Sequence, residues 1–412
     1  MANIFYDKVK ERLLTYASID TQSDGLSTST PTTDKQFVLA RLLFSELKEI
    51  GASEVYLDEK ACVVYGKLPA NCDGEAIGFV THLDTAQEAS GKAKPWVLEN
   101  YDGKDIVLND KENIVMRASE YPNLQNYIGQ DLVLTDGTTL LGGDDKAGIA
   151  SVMTMAEYLL NHPEIKHPLI SLAFTPDEEV GGLAKDLDFE RFEAKLAYTI
   201  DGDYLAYYQD ETFNASEARI YFKGRAVHTG TAKDILINAG ELACKFMALL
   251  PNERPENTEG REGFYHLVSI EGDCEESFMR LIIRDHDDLK FKEREKKVLE
   301  VGDKLNEIYK DCCKVEIKET YRNMKEVIDK HPQLITRLVK AIEKSGLEAK
   351  TYPFRGGTDG SSLSWRGLPC PNLSAGYENA HGRFEYVPIQ SMVKNVEILI
   401  NLVQLFREGE EK

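Results

Sequence analysis

No stretch of this sequence approaches the roughly 20 consecutive apolar residues that a membrane-spanning helix needs, so no membrane partner is expected. Cysteine is sparse, at 7 in 412 residues. The number is odd, only Cys312 and Cys313 are adjacent, and no CxxC occurs. This argues against a disulfide framework or a thiolate metal site and for reduced thiols in a cytoplasmic protein. Basic residues are in deficit, 49 against 70 acidic ones, for a net charge of −21. Such a surface repels phosphate backbones, so nucleic acid is not an expected partner; it suits a protein that collects cations. The opening stretch "MANIFYDKVKERLLTYASID" lacks the apolar core and cleavage site of a signal peptide. Its apolar positions, Ile4, Phe5, Val9, Leu13 and Tyr16, have helical spacing instead. No internal repeat is present.

What remains is an ordinary globular composition, 42% hydrophobic with a mean hydropathy of −0.37. The length exceeds what one core usually organises, so two domains are expected. "TQSDGLSTSTPTTD" reads as a loop, with Thr33 or Asp34 placed to cap the helix "KQFVLARLLFSELKEIG". Strands and helices then alternate: "EAIGFVTHLD", "DDKAGIASVMTMAEYLLNH", "PLISLAF" and "AKLAYTIDGD". That order implies an α/β domain with a mainly parallel sheet. From about Asn214 the order becomes β-α-β-β-α-β, with a helix over "DILINAGELACKFMALL". After Arg322 the α/β style returns. The expected organisation is a discontinuous α/β domain, residues 1–213 and 321–412, with an inserted α+β domain at 214–320.

The chemistry is concentrated where strands end. "LISLAF" runs into Asp177, Glu178 and Glu179, three carboxylates that repel one another at the mouth of an apolar strand. "AIGFVT" ends in His82 and Asp84, "LAYTI" in Asp201, and "LGGDDKAG" places Asp144 and Asp145 at a helix start. "GYENAHGRFEY" adds His381. Each has a bland alternative: Asp144 and Asp145 suit a helix N-terminus, Asp201 a turn, and Glu178–Glu179 a solvated corner. Yet ligands of open α/β sheets sit beyond the carboxyl ends of the strands, and five segments bring imidazole or carboxylate there. A cation would relieve the repulsion. Two imidazoles with several carboxylates suit zinc, cobalt or manganese better than magnesium or calcium. In an extended segment Glu178 and Glu179 would point opposite ways, so one could hold a cation and the other handle a proton.

"HLDT", "LGGDDKAG", "TPDEEVGG", "TIDGD" and "NAHGRFEY" together resemble the metal-site motifs of the M20 metallopeptidase family, in order along the whole chain. The stretches "TAKDILINA", "TEGREGFYHL", "IIRDHD", "FRGGTDGS" and "GLPCPNL" are similar to the branch that removes N-terminal residues from tripeptides. The resemblance implies a zinc-peptidase catalytic domain with an inserted lid and two zinc ions per subunit. His82, Asp144 and Asp201 would hold one ion, and Asp144, Glu179 and His381 the other, with Asp144 bridging. Asp84 would orient His82, Glu178 would be the general base, and the Asp144–Asp145 bond would be cis. In the lid, His228 of "KGRAVHTG" would polarise the scissile carbonyl, while Arg284 and Arg355 would grip a peptide carboxylate.

The implied activity is cytoplasmic release of the N-terminal residue from short peptides, with a homodimer through the lid as a further expectation. A dipeptidase, carboxypeptidase or N-acyl amino acid deacylase of the same family is the alternative, and a metal-free binding protein a more remote one. Three positions depart from the family pattern: Thr229 after His228, Arg322 in "TYRNM", and Glu378 close to His381.

Overall fold

The computed structural model describes residues 4–409; Met1–Asn3 of the opening stretch and Glu410–Lys412 lie outside the described residues. The amphipathic N-terminal segment forms the helix Tyr6–Ala17 with Val9, Leu13 and Tyr16 buried. The chain divides into two compact units. The larger holds an eight-stranded sheet. Its order is Ser53–Asp58, Val63–Leu68, Ile170–Thr175, Ile77–His82, Leu196–Ile200, Asn372–Leu373, Tyr207–Gln209, Lys350–Thr351. Ile77–His82 runs parallel to both neighbours, and Leu196–Ile200 parallel to Asn372–Leu373. The edge formed by Ser53–Asp58 and Val63–Leu68 is antiparallel. The central strands are buried along their whole length, which is why their sequences are continuous apolar runs rather than alternating ones.

The helix Gly143–Asn161 packs against Tyr6–Ala17 and Ile389–Gln404, and almost all of its residues are buried. The helix expected after Asp34 runs Gln36–Glu49, and Gly51 follows it with φ +90°. Neither Thr33 nor Asp34 caps it through a side chain. The Thr33 hydroxyl donates to the Gln22 carbonyl at 2.7 Å, and Phe37 N–H donates to the backbone carbonyl of Asp34 at 3.2 Å. Beside the main sheet lie a three-stranded sheet, Val387–Pro388, Leu132–Leu134 and Trp96–Leu98, and the hairpin Ile106–Asn109/Ile114–Met116. Strands of two to four residues leave too little alternation to be read from sequence.

The smaller unit comprises Glu211–Lys325 and Tyr352–Gly357. Its antiparallel sheet has the order Phe264–Gly272, Glu276–Asp285, Asn214–Lys223, Cys313–Tyr321. The helices Ala239–Leu249 and Asp288–Tyr309 cover it, burying Phe222, Phe246, Leu281 and Val301 among others. The β-α-β-β-α-β order is as read, with two differences. The first helix begins at Ala239, not at Asp234, because Asn238 caps it through Glu241 N–H and Ile237 pairs with Arg225 through two backbone hydrogen bonds. The unit is also wider than 214–320: Phe354 N–H donates to Glu211 C=O and Phe213 N–H to Gly356 C=O, docking a segment from far along the chain. Among the described residues no helix is long and apolar enough to cross a membrane.

Gly78 lies in the strand that delivers His82. A Cβ there would lie 2.2 Å from Cζ of Phe192, a buried ring with no room to retreat. Gly78→Ala is expected to lower stability by about 1–3 kcal/mol, the usual penalty of overpacking, read as an earlier urea unfolding midpoint. An unchanged midpoint would mean that Phe192 relaxes freely.

Candidate active site

His82 closes its strand in register with Thr175, and Asp201 follows Ile200 on the next strand over. Asp144 and Asp145 open the helix Gly143–Asn161 in non-helical conformations joined by a cis peptide bond. His381 sits at φ +60° in the loop that the Glu378–Tyr386 bridge closes. These elements converge. His82 Nε2 lies 2.8 Å from Asp144 Oδ1, and His381 Nε2 lies 3.3 Å from Asp144 Oδ2 and 2.9 Å from Glu179 Oε2. Two carboxylate–imidazole groups have ligand atoms mutually within 4.8 Å: His82, Asp144 and Glu179, and His82, Asp145 and Asp201. Asp145 thus joins the cluster on the Asp201 side.

The run Asp177–Glu179 resolves into three destinations. Asp177 turns away, accepting hydrogen bonds from Thr32 N–H at 2.9 Å and from the Gln36 amide at 2.6 Å. Glu178 and Glu179 are not extended; they open a short 3-10 turn, Glu178–Val180, after Asp177 at φ +64°. The turn is pinned from below, because the Asp84 carboxylate accepts Glu178 N–H at 2.9 Å and Glu179 N–H at 3.2 Å. Asp84 also meets His82 Nδ1, through its carbonyl at 3.0 Å and its carboxylate at 3.4 Å. One residue therefore sets both the first imidazole and the glutamate pair.

Burial and like charge dominate the electrostatics. Burial pushes Glu179 up to about 8 and Asp201 up to about 6, in each case with the Asp144 charge adding to it. Glu178 is raised well above the carboxylate range by burial, helped by the charges of Asp359, Asp201 and Glu179 and opposed by His82. Asp145 is raised by burial and by Asp201. The two imidazoles respond in the opposite sense. Hydrogen bonds to Asp144 and Glu179 lift His381 to about 12, and for His82 the bonds to Asp144 and Asp84 outweigh the effect of burial. Asp145 Oδ1 and Glu179 Oε1 are buried with no hydrogen-bond partner among the described residues. Orphaned oxygens on carboxylates grouped with imidazoles, without thiolate, are the donor set that a zinc-like cation would satisfy.

Residues beyond the motifs complete the site. Glu385, itself buried, accepts N–H groups of Leu141, Gly142 and Asp144 at 3.0, 2.8 and 2.9 Å, clamping the loop that presents Asp144. Tyr377 donates its hydroxyl to Asp201 at 2.7 Å. Asp359 accepts the Thr175 hydroxyl at 2.7 Å. All three fall inside or beside stretches that drew attention in the sequence, but only the folded chain shows what they hold. Glu378 is not turned to the cluster: the Tyr127 hydroxyl and the Asn123 amide bind its carboxylate.

In the smaller unit, His228 is exposed and accepts Gly230 N–H at 3.1 Å, opening the short turn Thr229–Thr231. The Arg284 guanidinium lies 5.1 Å from the centre of the Tyr321 ring and donates to the Ile283 carbonyl at 3.2 Å. Arg355 lies against the Phe213 and Phe264 rings, which touch each other edge-on, and donates to Gly260 C=O, Glu262 C=O and the Thr258 hydroxyl at 2.9, 2.8 and 2.8 Å. Much of its hydrogen-bonding capacity therefore goes to the loop before Phe264. Arg322, the departure in "TYRNM", pairs with Glu319 at 3.0 Å.

Residues 141–405 match the model of peptidase family M20/M25/M40. Peptidase T of Geobacillus sp. (strain WCH70) is 47% identical over 407 residues, covering 98% of this chain and 99% of that protein. Among solved structures, aminopeptidase PepT from Bacillus cereus ATCC 10987 shares the fold with a TM-score of 0.75 at 20% identity, over 97% of this chain and 98% of that one. The Bacillus subtilis YXEP protein, described as a dinuclear metal-binding peptidase, gives a TM-score of 0.65 at 10% identity, over 97% and 98%. With a family match over more than half its length and near-full-length relatives at such identity, this chain belongs to the M20 peptidase family and, within it, to the peptidase T group.

Proposed function

We propose that this protein is a dinuclear zinc aminopeptidase that releases the N-terminal residue from tripeptides, with Glu178 as general base. The observation that supports it most is the Asp144 carboxylate, whose two oxygens each face a different imidazole. His82 and Asp201 would hold one ion, Glu179 and His381 the other, and Asp144 both. When bound, the ions supply Lewis acidity and lower the pKa of water towards neutrality. Asp84 keeps the His82 ring and the Glu178–Glu179 turn in place. Glu178 takes a proton from the attacking water and returns it to the departing amine. Burial raises its pKa, which favours its holding that proton between the two transfers.

In the smaller unit His228 would donate to the carbonyl oxygen as it gains charge. Arg284 would grip the C-terminal carboxylate of the peptide, for which its remaining donors suit it. Arg355 would add to this with the donors left after it has secured the Thr258–Glu262 loop. A preference for short peptides would then follow from fixing one end of the substrate at these arginines while the other end meets a wall.

Three outcomes test the reading. Glu178→Gln is expected to lower kcat on Ala-Ala-Ala by about 10²- to 10⁴-fold, the range for lost acid–base catalysis, while zinc content stays unchanged. Joint loss of zinc and turnover would make Glu178 a ligand instead. Arg284→Ala should raise KM about tenfold or more for free tripeptides and leave C-terminally amidated ones unaffected. Equal losses on both would remove Arg284 from carboxylate recognition.

The third outcome concerns pH. Asp201 and Glu179 rise from ordinary values of 3.8 and 4.5 to about 6 and about 8, so above pH 4 the folded chain holds protons that the unfolded chain has released. Their contribution to stability therefore falls as pH rises through that interval. His381, lifted from 6.5 to about 12, acts in the same direction: its stabilising contribution is full below 6.5 and is lost towards 12. The Tm of metal-free protein should fall between about pH 5 and about pH 8, and the gain in Tm on adding zinc should widen. A gain independent of pH would contradict the crowding of carboxylates at the site.

A further inference from the structure

We infer that a recess lined by Arg117 and Arg383 is a subsite for a side-chain carboxylate of the substrate, so that tripeptides carrying an acidic residue are preferred. This rests on the tripeptidase reading above and adds a substrate class to it. The recess measures about 420 Å³. Phe384 and Val115 give it apolar wall, and the Thr138 hydroxyl beside them is taken up by Asp136, to which it donates at 2.5 Å.

The arginines make the argument. The chain has 17 of them, and 15 place a guanidinium nitrogen in a hydrogen bond or ion pair with the protein. Among the described residues the two exceptions are Arg117 and Arg383, and both line this recess. Several of those 15, Arg225, Arg254 and Arg366 among them, bind backbone carbonyls rather than carboxylates; what sets Arg117 and Arg383 apart is that neither guanidinium has such a bond, and the two line one cavity. Glu112 also lines the recess, yet it forms no ion pair with either. Paired guanidinium forks beside an apolar wall are suited to a carboxylate on a short aliphatic stem.

One wall of the recess is joined through a short stretch of chain to the reacting groups. Arg383 is two residues after His381 and two before Glu385, and both of those touch Asp144, at 3.3 Å and 2.9 Å. Two trans peptide units separate Cα atoms by at most about 7 Å. Asn379 fixes the turn by donating to Phe384 C=O at 3.0 Å. An extended peptide advances about 3.3 Å per residue, so a side chain one or two residues from the reacting bond covers the same distance.

The experiment uses zinc-loaded protein and seven tripeptides: Ala-Ala-Ala, and Glu or Gln placed at each of the three positions in turn. At one position the Glu peptide is expected to show a KM about fivefold to tenfold below its Gln counterpart, as for a partly exposed charge-assisted pair. Raising the salt concentration should shrink that ratio. Arg117→Gln and Arg383→Gln should each bring it towards one, and Arg383→Lys should restore part of it. Glutarate should compete with the Glu peptide more strongly than with Ala-Ala-Ala. Equal KM values for Glu and Gln at all three positions, or a preference that survives both substitutions, would overturn the subsite. Neither result touches the tripeptidase reading, which fails if Ala-Ala-Ala is not cleaved or does not lose its N-terminal residue first.

Discussion

Asp144 is held between two imidazoles, and most of the larger unit is arranged around that contact. A carboxylate buried among Asp145, Glu179 and Asp201 repels each of them, and the low polarity of the surroundings strengthens the repulsion. The fold meets this cost with positive partners on both of its oxygens and with the Glu385 clamp on the backbone behind it. The residual strain is electrostatic, expressed as carboxyl groups that hold protons far above their usual range. A site with such a surplus of negative charge is incomplete without a cation, and the acidic balance of the whole chain extends the same preference outwards.

The scaffold explains why these groups meet. Three neighbouring parallel strands end at one edge, and each hands over to a turn that carries an acid or an imidazole. Their burial on both faces fixes the register, since a slip of one residue would exchange the environments of every side chain. Packing at Gly78 and the all-round burial of the helix Gly143–Asn161 hold the strand ends and the Asp144 turn to one position. Precision at the site is thus a property of the core beneath it.

Much of this was legible in the sequence, and for identifiable reasons. Fully apolar runs that stop at His82, Asp177 or Asp201 mark strands feeding a polar edge, and the β-α-β-β-α-β order of the insertion follows from alternation of short periodic segments. The conformation of Glu178–Glu179 was not legible. Whether two glutamates are extended or turned depends on Asp84, nearly a hundred residues away in sequence. Glu385, Tyr377 and Arg355 were obscure as anchors for the same reason: a side chain that binds distant backbone or a distant carboxylate leaves no periodic trace. The helix start at Ala239 was missed because the pairing of Ile237 with Arg225 overrides local helix propensity.

The return of Tyr352–Gly357 to the smaller unit has a consequence for how this architecture can be taken apart. A continuous fragment cut at the obvious junctions would carry Phe213 and Phe264 but not the cation that rests against both, and would leave Glu211 C=O without the amide of Phe354. The inserted module is therefore not a cassette that can be excised, transplanted or exchanged between relatives as one piece of gene. Any graft has to bring along a short second segment encoded more than twenty residues downstream, which ties the history of the two units together more tightly than a simple insertion would.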